Sequence, residues 1–187
     1  MTILIIGLVV FFAGHCLPMF PQHRGALASR LGEQKYKTTF SIISAAGFVL
    51  ILWGYSLAPL VDLWQAPAWG YRAAMLIMPV AFVSLTATYV PNNFRRVIRH
   101  PMLLAVSAWA IAHLLANGDL ASLLLFGSFL AYAIIDMRSA NRRGAKYSVT
   151  KVSMRQDLIV LLIGFVAFLL LRYFHGPLFG IDLLIKS

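Results

Sequence analysis

Five histidines are spread along this chain of 187 residues, at His15, His23, His100, His113 and His175. Imidazole is the side chain best suited to proton transfer and metal ligation near neutral pH. Two of the five stand inside apolar runs: His15 in Phe12-Ala13-Gly14-His15-Cys16-Leu17, and His113 in Trp109-Ala110-Ile111-Ala112-His113-Leu114. A neutral imidazole carries one donor and one acceptor, and in an oily setting both need partners. One reading satisfies them by hydrogen bonds to a hydroxyl or a carbonyl of another helix. The other makes them axial ligands of a haem iron held between helices. The residue types alone leave both open. His23 falls in a basic stretch, and His175 follows Arg172 and Tyr173 at the end of an apolar run, so solvent or headgroups satisfy these rings. His100 directly precedes Pro101, at a helix start, and is the alternative partner for His15.

Other chemistry is thinly supplied. The six acids are Glu33, Asp62, Asp119, Asp136, Asp157 and Asp182, and none stands in the middle of an apolar run. This argues against a carboxylate proton relay, a di-iron carboxylate cluster or a paired-carboxylate hydrolase. Cys16 is the only cysteine, which excludes an internal disulfide and a thiolate zinc site. In apolar surroundings it reads as a packing residue. No phosphate-binding glycine loop and no His-Glu-x-x-His zinc motif occurs.

The elements that must position these groups follow from composition. Sixty per cent of the residues are hydrophobic, 12% are charged, and the mean hydropathy is +0.81. That much apolar surface exceeds what a soluble core of this size can hide. A membrane span needs about 20 mostly apolar residues, and six segments qualify or nearly so: Thr2–Phe20, Thr39–Leu57, Tyr71–Val90, Pro101–Ala116, Leu120–Met137 and Leu158–Phe174. The first has no basic flank before it and no small-residue cleavage site after it, so it reads as a mature helix. Thirteen of the sixteen Lys and Arg residues fall on the first, third and fifth connections. The positive-inside rule then places those connections in the cytoplasm and both termini on the outer, periplasmic side. The expected fold is a single all-α domain over residues 1–187, a polytopic bundle of six transmembrane helices. The same basic face favours anionic lipid headgroups, which accounts for the +10 charge without nucleic acid.

The outer connections carry few charges. Ala58–Gly70 holds Trp64 and Trp69, as an interfacial belt does. Asn117-Gly118-Asp119 reads as a tight turn in which Gly118 takes a positive φ and Asp119 caps the next helix. Ala105, Ala108, Ala112 and Ala116 form a small-residue stripe on the fourth segment, and Gly7 and Gly14 do the same on the first. At 1.5 Å per residue, His15 lies about 9 Å from the cytoplasmic face and His113 about 18 Å. Ligands of one iron at such unequal depths require a tilted haem or a broken helix. Pro18 and Pro21 supply a possible break.

The run Phe94-Arg95-Arg96-Val97-Ile98-Arg99-His100-Pro101-Met102-Leu103, followed by Trp109 to Asp119, resembles the NnrU family. Gly14-His15-Cys16-Leu17-Pro18, Trp64-Gln65-Ala66-Pro67 and Leu123-Leu124-Leu125-Phe126-Gly127 extend the resemblance over nearly the whole chain. It implies a bacterial inner-membrane protein linked to denitrification and nitric-oxide metabolism, with a respiratory or denitrification membrane complex as partner. That family is similar to 15-cis-ζ-carotene isomerase, which holds haem b between two histidines. The resemblance places those ligands at His15 and His113, with His100 as a substitute or supporting residue. Ala110 stands where the isomerase has a cysteine able to compete for the iron, a departure that weakens the analogy to its catalysis. Arg96 and Arg99 are the candidate partners of the haem propionates, since guanidinium matches carboxylate geometry. Arg99-His100-Pro101 also resembles the isoprenylcysteine carboxyl methyltransferases, but Met137 to Arg143 lacks their glutamate. The expected function is thus haem-dependent support of nitrogen-oxide metabolism, with isomerase-like chemistry on a lipid-soluble substrate as a narrower form. The alternatives are a haem-free assembly or scaffold factor for a respiratory nitric-oxide reductase and, as the remoter one, a membrane methyltransferase.

Overall fold

The computed structural model describes residues 1–180 and 183; Asp182 and Lys186 lie outside the described residues. Among these the secondary structure is helical, with no strand: α1 (Thr2–Cys16), α2 (Pro21–Leu31), α3 (Glu33–Ser56), α4 (Gly70–Tyr89), α5 (Pro101–Ala116), α6 (Leu120–Arg142) and α7 (Met154–Phe179). Five are long and apolar enough to cross a membrane: α1 with its extension to Met19, α3, α4, α6 and α7. The sixth expected segment, α5, is a shorter apolar helix of 16 residues.

The break expected near Pro18 is present. α1 ends at Cys16, a single 3-10 turn covers Leu17–Met19, and Phe20 leaves helical geometry at φ −116° and ψ 78°. Pro21 then opens α2 from the first helical position, where its missing N–H costs nothing. The first basic connection is therefore itself a helix, ended by Gly32 at φ 81°. Arg24 ties α2 to α3 through Glu33 at 2.7 Å and by lying 5.2 Å over the Tyr36 ring.

Helix pairing follows the small residues. α1 lies along α3 because Gly7 and Gly47 let the backbones touch; a Cβ on Gly7 would stand 2.6 Å from the Ile51 nitrogen, and one on Gly47 2.7 Å from the Phe11 nitrogen. A Cβ on Gly54 would run into the Leu4 backbone. Gly14, by contrast, leaves room against Phe40 at 3.6 Å. Ala105, Ala108 and Ala112 are buried as the stripe predicts, and α5 packs along α4 and α6, while α7 packs on α4. One apolar cluster joins Leu4, Leu8, Ile51, Ala110, Leu125 and Phe126, and a second joins Ala74, Met78, Ala112 and Phe168. Many large apolar residues remain exposed, Leu76 at 78% among them. Hydrocarbon, rather than water, suits such a surface.

The connections gather at two ends. At one, Leu63 and Trp64 donate their N–H groups to the Gly118 oxygen at 2.9 and 3.1 Å, and Leu120 N–H donates to Val61 O at 2.9 Å. Asp119 caps α6 by accepting from Ser122 N–H at 2.9 Å, as expected. The expectation for Gly118 is corrected: its φ is not positive. Glycine is needed there because a Cβ would collide with the Trp64 carbonyl. At the other end, Asn93 N–H and Nδ2 each donate to the Asp157 carboxylate at 2.7 Å. Asn93 also exchanges bonds with the Val152 backbone, and Ser148 N–H donates to Arg95 O at 2.9 Å. The basic linker between α6 and α7 is thus held against the turn between α4 and α5.

Candidate functional site

His15 and His113 sit near the C-terminal ends of α1 and α5, and each bonds the carbonyl one turn back. His15 Nδ1 lies 2.9 Å from Phe11 O, and His113 Nδ1 lies 2.8 Å from Trp109 O. A carbonyl only accepts, so both rings carry their proton on Nδ1. In the neutral ring this leaves a lone pair on Nε2, and among the described residues neither Nε2 makes a hydrogen bond. The interhelical bond considered for the rings themselves is not made.

Aromatic faces fix both rings. His15 stacks on Phe11 at 3.9 Å and 17°, with Phe40 at 5.1 Å and the edge of Tyr132 at 6.1 Å. His113 stacks on Phe126 at 4.4 Å and 20°, with Trp109 at 5.3 Å. The two imidazoles are joined by a continuous run of rings. Phe129 lies 5.3 Å from Phe11 and 5.4 Å from Trp109, and Trp109 lies 4.8 Å from Phe126. α6 supplies the register: His15 meets it at Tyr132, whose hydroxyl donates to the His15 carbonyl at 3.2 Å, and His113 meets it at Phe126. Six residues of helix separate these, about 9 Å, which matches the depth difference read from the sequence.

The donor chemistry suits an iron porphyrin: each imidazole is oriented through Nδ1 and keeps Nε2 unengaged. The volume between them is filled by Phe11, Phe129, Trp109 and Phe126, so a porphyrin there requires those rings to turn aside. Ala110, the position of the missing cysteine, is fully buried in the cluster that also contains Leu4 and Leu8 of α1.

The remaining candidates stand apart. His100 precedes α5 at the end opposite His113, thirteen residues and about 20 Å away. Arg99 Nη1 donates to Asn141 Oδ1 at 2.6 Å, and His100 Nε2 donates to the same oxygen at 2.8 Å. Its Nε2 is thereby engaged, unlike that of the other two. Arg99 also lies 4.4 Å over the Tyr147 ring, and its buried Nε has no hydrogen-bond partner among the described residues. Arg96 is exposed on a 3-10 turn, Phe94–Arg96. No described contact brings Arg96 or Arg99 to His15 or His113. A cavity of about 450 Å³ lies between α4, α5 and α7, and one of about 290 Å³ beside Cys16 and Tyr132. Neither is lined by His15 or His113.

Sequence reasoning missed Tyr132, Phe129 and Asn141. Tyr132, a hydroxyl inside an apolar helix, carries a usable signal, because such a group needs a partner in lipid. Asn141 carries one too, as a neutral amide among arginines.

No curated protein and no solved structure matches this chain. A family model described as NnrU protein matches residues 3–183, and the chain therefore belongs to the NnrU family.

Proposed function

We propose that this NnrU-family chain is a multi-pass protein of the bacterial inner membrane that holds haem b between α1 and α5 and supports denitrification or nitric-oxide metabolism. The proposed topology has six crossings, with both termini on the periplasmic side. Support for α5 as the sixth comes from its two ends: His100 meets the basic face through Asn141, while Gly118, just past its C-terminus, meets the opposite connection.

The observation that carries the haem reading is the shared posture of His15 and His113. In this reading their Nε2 atoms hold the iron, and the Phe11 and Trp109 carbonyls keep the rings from rotating. When bound, the group supplies a redox-active iron in an apolar setting. Tyr132 anchors the end of α1 to α6, and the surrounding aromatic rings exclude water. Arg96 and Arg99, on the basic face, would pair with the haem propionates. His100 supports Asn141 rather than the iron.

The absorption spectrum of the detergent-purified protein tests this. The expected result is a Soret band that is lost or shifted in His15→Ala and in His113→Ala and kept in His100→Ala. A protein without the band when haem is supplied, or a band unchanged in both His variants, overturns it. The second reading, a haem-free assembly factor for a nitric-oxide reductase, is favoured by the filled space between the two rings. It predicts a colourless protein that co-purifies with the reductase.

A further inference from the structure

The 450 Å³ cavity is a groove that runs along α4 from Pro79 to Ala87 and reaches the basic turn at Phe94 and Ile98. Val83 and Ala87 of α4, Phe165 of α7, and Phe94 and Ile98 of the connecting turn line it, and Ser84 is the one polar side chain. Val80, Leu161 and Phe165 in its wall are exposed, so its flank faces the bilayer. Between the lining residues Phe94 and Ile98 stand Arg95 and Arg96, both exposed. Among the described residues neither guanidinium makes an ion pair or a hydrogen bond. The Asp157 carboxylate, at the start of α7, is occupied by Asn93 N–H and Nδ2, each at 2.7 Å. A neutral amide therefore takes this acid, and two arginines without an ion pair stand on the turn whose Phe94 and Ile98 line the apolar slot.

We propose that this groove is a binding site for one anionic phospholipid, with an acyl chain against Val83, Ala87 and Phe165 and the phosphate on Arg95 and Arg96. An oily channel alone would accept any chain, and a surface arginine pair alone would attract any anion. Their placement on one turn selects a molecule that is both. The site shares Arg96 with the proposed haem reading, but its readout is lipid rather than absorbance, so either can fail without the other.

The test is native mass spectrometry of the full chain in detergent, titrated with phosphatidylglycerol and, separately, with phosphatidylcholine. The expected result is one tightly held phosphatidylglycerol per chain, weakened about thirtyfold in Arg95→Gln/Arg96→Gln, from two lost surface cations. Ala87→Phe, which fills the slot, weakens it as well. Arg30→Gln/Lys35→Gln removes the same charge from the same side and leaves binding intact. Equal loss in that control identifies diffuse adsorption and overturns the site. So does displacement by inorganic phosphate alone, equal binding of phosphatidylcholine, or a lipid-free dimer that Ala87→Phe dissociates. Should Ala87→Phe not fold, the arginine pair and its control decide the matter alone.

Discussion

The Tyr132 hydroxyl donates to the backbone oxygen of His15 across the α1–α6 seam. This carbonyl lies in the last turn of α1, and Pro18, three residues on, has no N–H to donate to it. One phenol thus closes the end of one helix and sets the height at which His15 meets α6.

Tyr132→Phe removes that bond and keeps the ring. Interhelical hydrogen bonds in membranes average roughly 0.6 kcal/mol, so a small drop in unfolding free energy is expected. If haem is bound, the Soret band broadens or moves as His15 loses its fixed height. Thermal unfolding in detergent, followed by circular dichroism, measures the first, and absorbance the second.

Phe129 is the ring that links the Phe11 side of the site to Trp109. Phe129→Ala opens the gap and is expected to raise the ratio of Soret to protein absorbance. Phe129→Trp closes it and is expected to lower the ratio. A ratio indifferent to both places the haem elsewhere.

The glycines of α1 and α3 differ in what they tolerate. Gly47→Ala puts a methyl 2.7 Å from the Phe11 nitrogen, and overpacking of this kind costs about 1–3 kcal/mol. Gly14→Ala meets only Phe40 at 3.6 Å and is expected to be neutral or slightly stabilising, since alanine is the better helix former. Chemical unfolding of the two variants side by side checks the contrast.

Asp157→Ala leaves two donors of Asn93 without their carboxylate. Hydrogen bonds to a charged group contribute about 1.5–3 kcal/mol each, so the turn between α4 and α5 loosens from the start of α7. Faster amide hydrogen exchange over residues 91–100, with α1 and α3 unchanged, is the expected signature.

Much of this was legible in the residues, and the exceptions have physical causes. Hydropathy marks where oil begins, not where a helix ends. α3 therefore starts at Glu33 rather than Thr39, its first turn carrying a Glu33–Lys37 pair at 3.5 Å, and α6 runs on to Arg142. α2 escaped because its polar composition resembles a connection, although Pro21 before it and Gly32 after it are boundary signals. Gly118 was noticed for the wrong property: the space it leaves is visible only once the 58–70 connection is placed beside it. For the site, the unequal depths of His15 and His113 followed from counting residues. The direction of each imidazole did not, because it depends on the Phe11 and Trp109 carbonyls and on which aromatic face α6 presents.

Glycine-mediated contact of α1 with α3 has a mechanical result. Two helices whose main chains touch cannot slide or part without losing their whole seam, so they behave as one thick plank. Movement of α6 along that plank would have to break the bond from Tyr132 to His15, which makes this phenol a latch on the slide.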